Sequence, residues 1–134
     1  MNISYDKDNL SRGVELTKGH PYYIRLFIQE YYFQYLQEQK PSDPEVIFKK
    51  MMLSENNYLE KLWDEISNKK ETRFVIIKII ETGKPYTGID NKGVNISRAI
   101  NELMGKGVIF SDKSGYVVSD PLFERFVKER VLKY

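Results

Sequence analysis

Apolar residues recur along this chain mostly at helical spacing, and short polar breaks divide them into separate runs. The first run, Ser11 to Leu16, reads as a short helix or its end, closed near Thr17-Lys18-Gly19 with Gly19 as the stop. Pro21 opens the next helix, because its missing N–H and fixed φ suit the first helical position. That helix is expected from about Tyr22 to Gln39. Ile24, Phe27, Ile28, Tyr31 and Tyr35 make one stripe, while Tyr23, Leu26, Phe33 and Leu36 cover much of the remainder. A helix apolar on nearly all sides is expected to lie buried between neighbours, central to its subdomain. The break KPSDPE offers Ser42 or Asp43 as cap for a helix opening at Pro44, with Val46, Ile47, Met51 and Met52 at helical spacing. SENN interrupts, and Tyr58, Leu59, Leu62, Trp63 and Ile66 form another helical face.

The second half differs in texture. TRFVIIKIIETGK fits a buried strand or a helix by periodicity alone; its length, its end at Gly83 and the lack of a nearby partner strand favour helix. Pro85 to Asp90 reads as a short helix or turn. Ile96, Ala99, Ile100, Leu103 and Met104 share one helical face, with Asn95 as N-cap and Gly105 or Gly107 as terminator. VIFSDKSGYVV holds two short β-rich runs around DKSG, a tight hairpin signal. Asp120-Pro121 then starts a helix striped by Leu122, Phe123, Phe126, Val127 and Val131. The predicted chain is mainly α. A helical bundle over residues 1–68 precedes a winged helix-turn-helix with a small β-hairpin wing over 69–134. The polar SNKKE is the expected boundary and the linker about which the two halves would rotate.

Composition narrows the function. Of 134 residues, none is cysteine and one is histidine, so disulfides and thiolate metal sites are excluded and an intracellular, cytoplasmic setting is expected. No apolar run approaches the roughly 20 residues that span a bilayer, so no membrane partner is expected. Net charge is +2, unevenly placed: residues 1–68 carry 8 Lys+Arg against 11 Asp+Glu, and residues 69–134 carry 13 against 8. The basic second half makes duplex DNA a candidate partner.

The helix from Ile96 to Met104 is the one a winged helix sends into a major groove. Its outward residues would be Asn95, Ser97, Arg98, Asn101, Glu102 and Lys106. Arg98 and Asn101 can read guanine and adenine edges, and Lys92 and Lys113 can meet phosphates. Against this, Glu102 would repel the backbone, and the same face serves equally as a solvated surface or a protein contact. No catalytic set emerges. Asp43/Glu45 and Asp64/Glu65 read as solvated carboxylates, and His20 has no nucleophile beside it in sequence. The G-x-x-x-x-G-K-[ST] pattern is absent, so no P-loop cradles a triphosphate here.

LTKGHPYYIRLF, followed by helices and then by INELMGKGVI and GYVVSDPLFERFV, resembles the C-terminal lid plus winged-helix region of the archaeal ATPase family, P-loop NTPases of the AAA+/STAND type. The resemblance spans essentially the whole chain without the P-loop core. It implies that Gly19, His20 and Pro21 form a nucleotide-facing lid turn, with Arg25 as a sensor-type arginine. It also implies that ATP and Mg²⁺ would bind only together with a P-loop domain, and that the chain is a remnant, a split half or a fragment of an ATPase. The expected role is therefore a non-catalytic regulatory and interaction module, partnered by a P-loop ATPase core or by DNA. The alternative is a free-standing winged-helix DNA-binding transcriptional regulator that dimerises through its N-terminal helices, with Tyr22, Tyr32 or Trp63 at the interface.

Overall fold

Local capping chemistry sets most element boundaries in this computed structural model, which describes residues 7–86 and 95–133. Over the described residues it is mainly helical, 71% helix, with one small antiparallel sheet of two strands. Seven α-helices occur among the described residues: α1 (Lys7–Leu16), α2 (Pro21–Glu38), α3 (Pro44–Ser54), α4 (Asn56–Ser67), α5 (Lys70–Thr82), α6 (Ile96–Gly105) and α7 (Pro121–Phe126). Strands β1 (Ile109–Asp112) and β2 (Gly115–Val118) lie between α6 and α7, and a π-helical turn over Val127–Val131 continues α7.

The chain divides into two compact units, residues 1–57 and 58–134. In the first, α2 and α3 pack together and α1 lies on both. Gly13 permits the α1–α2 approach, because a Cβ there would sit 2.3 Å from the Phe27 ring. Phe27 and Tyr31 stack, with ring centroids 6.1 Å apart, and Ile47, Phe48 and Met51 are fully buried on α3. Asp43 caps α3 by accepting a 2.8 Å bond from Glu45 N–H, the role its place before Pro44 predicts. Arg12 on α1 reaches Glu45 at 3.4 Å.

The expectation that α2 is buried all round is not met. Tyr23, Phe27, Tyr31 and Gln34 face inward, at i, i+4, i+8 and i+11. Ile28 and Phe33, placed in the buried set by sequence, are 51% and 53% exposed. A helix touched by neighbours on one side can bury only one stripe, whatever the composition of the other.

In the second unit, α5 packs on α6 through Thr72, Val75, Ile76 and Ile79. The SNKKE segment is a short turn rather than a free linker. Thr72, buried, donates its hydroxyl to Ile66 O at 2.6 Å, tying the start of α5 to the end of α4. The division of the chain falls within the first turn of α4, between Asn57 and Tyr58, instead of after that helix. The SENN break is slight, since only Glu55 separates α3 from α4. The hairpin pairs Ile109 with Val118 and Asp112 with Gly115, leaving Lys113-Ser114 as its two-residue turn. Asp112 Oδ1 accepts from Ser114 N–H at 2.9 Å and fixes that turn. Gly115 has φ +148°, and a Cβ there would lie 2.2 Å from Gly83 O. Only glycine allows that approach, which lets Tyr116 N–H donate to Gly83 O at 3.0 Å and anchors β2 on the end of α5. Asp120 caps α7 through Leu122 and Phe123 N–H, at 2.9 and 3.0 Å. Phe123 is fully buried and stacks on Phe126 with centroids 6.4 Å apart.

Candidate functional site

The α6 surface is built by a cap and a sharp amphipathic split. Asn95 Oδ1 accepts from Arg98 N–H at 3.0 Å, closing the first turn. Ile96, Ala99, Ile100 and Leu103 face the core, which leaves Asn95, Ser97, Arg98, Asn101, Met104 and Lys106 exposed.

The six residues expected to contact DNA meet different fates. Arg98 and Asn101 sit three apart on one exposed face, close enough to act together. Arg98 has no ion-pair partner among the described residues, and Asn101 no hydrogen-bond partner there. Lys113 occupies the hairpin turn, exposed and similarly without an ion pair, roughly 10 Å along the strands from the α6 end of β1. Asn95 spends its side-chain oxygen on the cap. Ser97 Oγ lies 3.1 Å from the Tyr86 hydroxyl and shares a hydrogen bond with it. Lys92 lies outside the described residues, as does most of the Pro85–Asp90 stretch; Pro85 and Tyr86 themselves form a turn.

Two ion pairs change the electrostatics that sequence alone suggests. Glu102, expected to oppose phosphate, accepts from Lys69 Nζ at 2.5 Å. That hydrogen bond, aided by the charges of Lys69 and Lys106, holds its carboxyl below the ordinary carboxylate range. Lys106 pairs with Glu65 of α4 at 3.2 Å. The acid is thus neutralised locally, and one expected cation is already engaged. Both partners are 33 or more residues away in sequence, so spacing along α6 carries no signal for them.

The second candidate region begins α2. Gly19 has φ +72°, and Thr17 is fully buried, donating its hydroxyl to Gly13 O at 2.9 Å. His20 stands at the N-cap without a side-chain capping bond, and its ring lies 4.6 Å from that of Tyr23. Gly19, His20, Pro21 and, one turn on, Arg25 are all exposed. Tyr22 donates to Glu55 Oε1 at 3.1 Å, and this bond to a carboxylate raises the phenol above its ordinary value. Trp63 is only half-buried on α4.

The outer face of α5 was not anticipated. Lys70, Arg73, Phe74, Ile77, Lys78 and Glu81 line an open groove of about 230 Å³. The i, i+3, i+4, i+7 spacing of these residues was the available signal, masked in the sequence by a continuous apolar run. Among the described residues no group of three or more His, Asp or Glu is placed to hold a metal ion, and no helix is long and apolar enough to cross a membrane.

Comparison with family models, with curated proteins and with solved structures finds no match. The functional reading therefore rests on the geometry of these surfaces.

Proposed function

We propose that the chain is a non-catalytic binding module of the kind that ends archaeal-type ATPases, and that its 58–134 unit is a winged helix contacting duplex DNA. Arg98 and Asn101 of α6 face base edges, and Lys113 at the hairpin turn meets phosphate. One observation carries this reading: Arg98, Asn101 and Lys113 are exposed and without partners among the described residues, while Glu102 is held by Lys69. Cations already paired contribute little to phosphate binding, because their own counter-charges must first be displaced. Cations left open release counterions when DNA binds.

A second reading has support from the first unit. The exposed Gly19–His20–Pro21 turn with Arg25 fits contact with a separate P-loop core, which would supply ATP and Mg²⁺ binding.

The test is a salt titration of binding to mixed-sequence duplex DNA, comparing the parent with Arg98→Ala plus Lys113→Ala. The parent should bind at low salt and weaken steeply as salt rises. The double variant should bind less tightly, with a log–log salt slope smaller by about 1, because Lys113 is the residue of the two that meets phosphate. No binding at low salt would sink the DNA reading and leave the protein-contact reading standing.

A further inference from the structure

We infer that α2 pairs antiparallel with α2 of a second copy of this chain, about a two-fold axis passing at Gln29. The outer side of α2 carries Tyr22, Arg25, Gln29, Phe33 and Leu36 in one straight stripe, flanked by Ile28 and Tyr32, with the Tyr22 hydroxyl at its end held by Glu55. Tyr22, Ile28, Tyr32 and Phe33 are 54%, 51%, 43% and 53% exposed. Four aromatic or branched side chains half in water offer on the order of 400 Å² of apolar surface, the size of patch that marks a contact site. With their polar neighbours, this reaches the lower end of what a specific dimer buries per partner. The expected dimer is therefore concentration-dependent rather than obligate.

The spacing of the stripe argues for a second copy over any other occupant. Its residues lie seven and four positions before Gln29, at Gln29, and four and seven positions after it. An antiparallel copy centred there sets Tyr22 on the partner's Leu36, Arg25 on the partner's Phe33, and Gln29 on the partner's Gln29. Arg25 is the one charged residue of the stripe and has no ion pair among the described residues. Parallel pairing would oppose two arginines, whereas the antiparallel register lays each guanidinium over an aromatic ring. The two glutamine amides can donate to and accept from each other at the axis. No lysine or glutamate interrupts the stripe, in keeping with the composition of interface centres.

Sedimentation equilibrium of the full chain, without DNA, from micromolar to sub-millimolar concentration tests this independently of the DNA reading. The weight-average mass should climb from one chain mass towards two. Phe33→Lys, which opposes a lysine to the partner's Arg25, should weaken dimerisation at least about tenfold. Phe33→Lys combined with Arg25→Glu should restore it, because each lysine then faces a carboxylate. Unchanged circular dichroism of the variants checks that the exposed changes leave the fold intact. A single chain mass throughout, a dimer indifferent to Phe33→Lys, or failure of the double variant to recover would each overturn the inference.

Discussion

The two units bury similar cores and present opposite surfaces. On α2 the inward stripe is matched by an outward side rich in aromatic and aliphatic residues, broken by Arg25 and Gln29. On α6 the inward stripe is wholly aliphatic, and the outward side is Ser97, Arg98 and Asn101 with Met104 as its one large apolar residue. Each helix keeps one stripe of four residues inside, and the larger difference lies in what each leaves outside. Apolar surface in water is removed by another apolar surface, which favours a protein partner for α2. An uncharged-polar and cationic surface gains from phosphate and base edges, which favours a nucleic acid for α6.

If that contrast belongs to the surfaces alone, the cores should respond alike. Phe48→Ala in the first unit and Phe123→Ala in the second each remove a ring that is at most 1% exposed, and each should cost about 3–5 kcal/mol in denaturant titration. A markedly smaller loss for one would break the equivalence and mark that core as loosely packed. Smaller, and sharper as a comparison, are the two tight glycines. Gly13→Ala drives a Cβ into the far edge of the buried Phe27 ring, a side chain rather than backbone, and should cost about 1–2 kcal/mol. Gly115→Ala meets the backbone carbonyl of Gly83 at a φ of +148°, where nothing yields, and should cost about 3 kcal/mol. The order of the two losses, read by thermal or urea unfolding, is the checkable point.

The smallest effect concerns Lys69 and Glu102. The carboxyl titrates lower in the folded chain than in the unfolded one, so the ion pair stabilises fully above the ordinary carboxylate range. That contribution disappears as pH falls through the depressed folded value. Glu102→Gln should therefore lower the melting temperature slightly at neutral pH, and the gap to the parent should close on acidification and with added salt. A gap that persists unchanged at acid pH would show that the pair is not its source.

Much of this fold was legible because its signals are local. Pro21 and Pro44 open helices where the sequence places them, Asp43, Asn95 and Asp120 cap them, and DKSG turns the hairpin. Each of these acts through atoms a few residues away, so the sequence neighbourhood contains the whole interaction. The candidate sites were less legible. Asn95, Ser97 and Lys106 belong to the outward set by periodicity, yet the cap, Tyr86 and Glu65 each engage one of them.

By itself, then, the order of residues determined where α2, α3, α6 and α7 start, which face of α6 is apolar, and that the second half carries the excess of positive charge. Those follow from dihedral preferences, short-range hydrogen bonds and counting. Only the tertiary structure decided that α2 turns Tyr22, Ile28, Tyr32 and Phe33 to solvent, that α4 is tied to α5 instead of swinging on a linker, and that Glu102 is neutralised by Lys69. These depend on which neighbours arrive from elsewhere in the chain. An apolar side chain is buried, and a charge is paired, only where such a neighbour comes within reach.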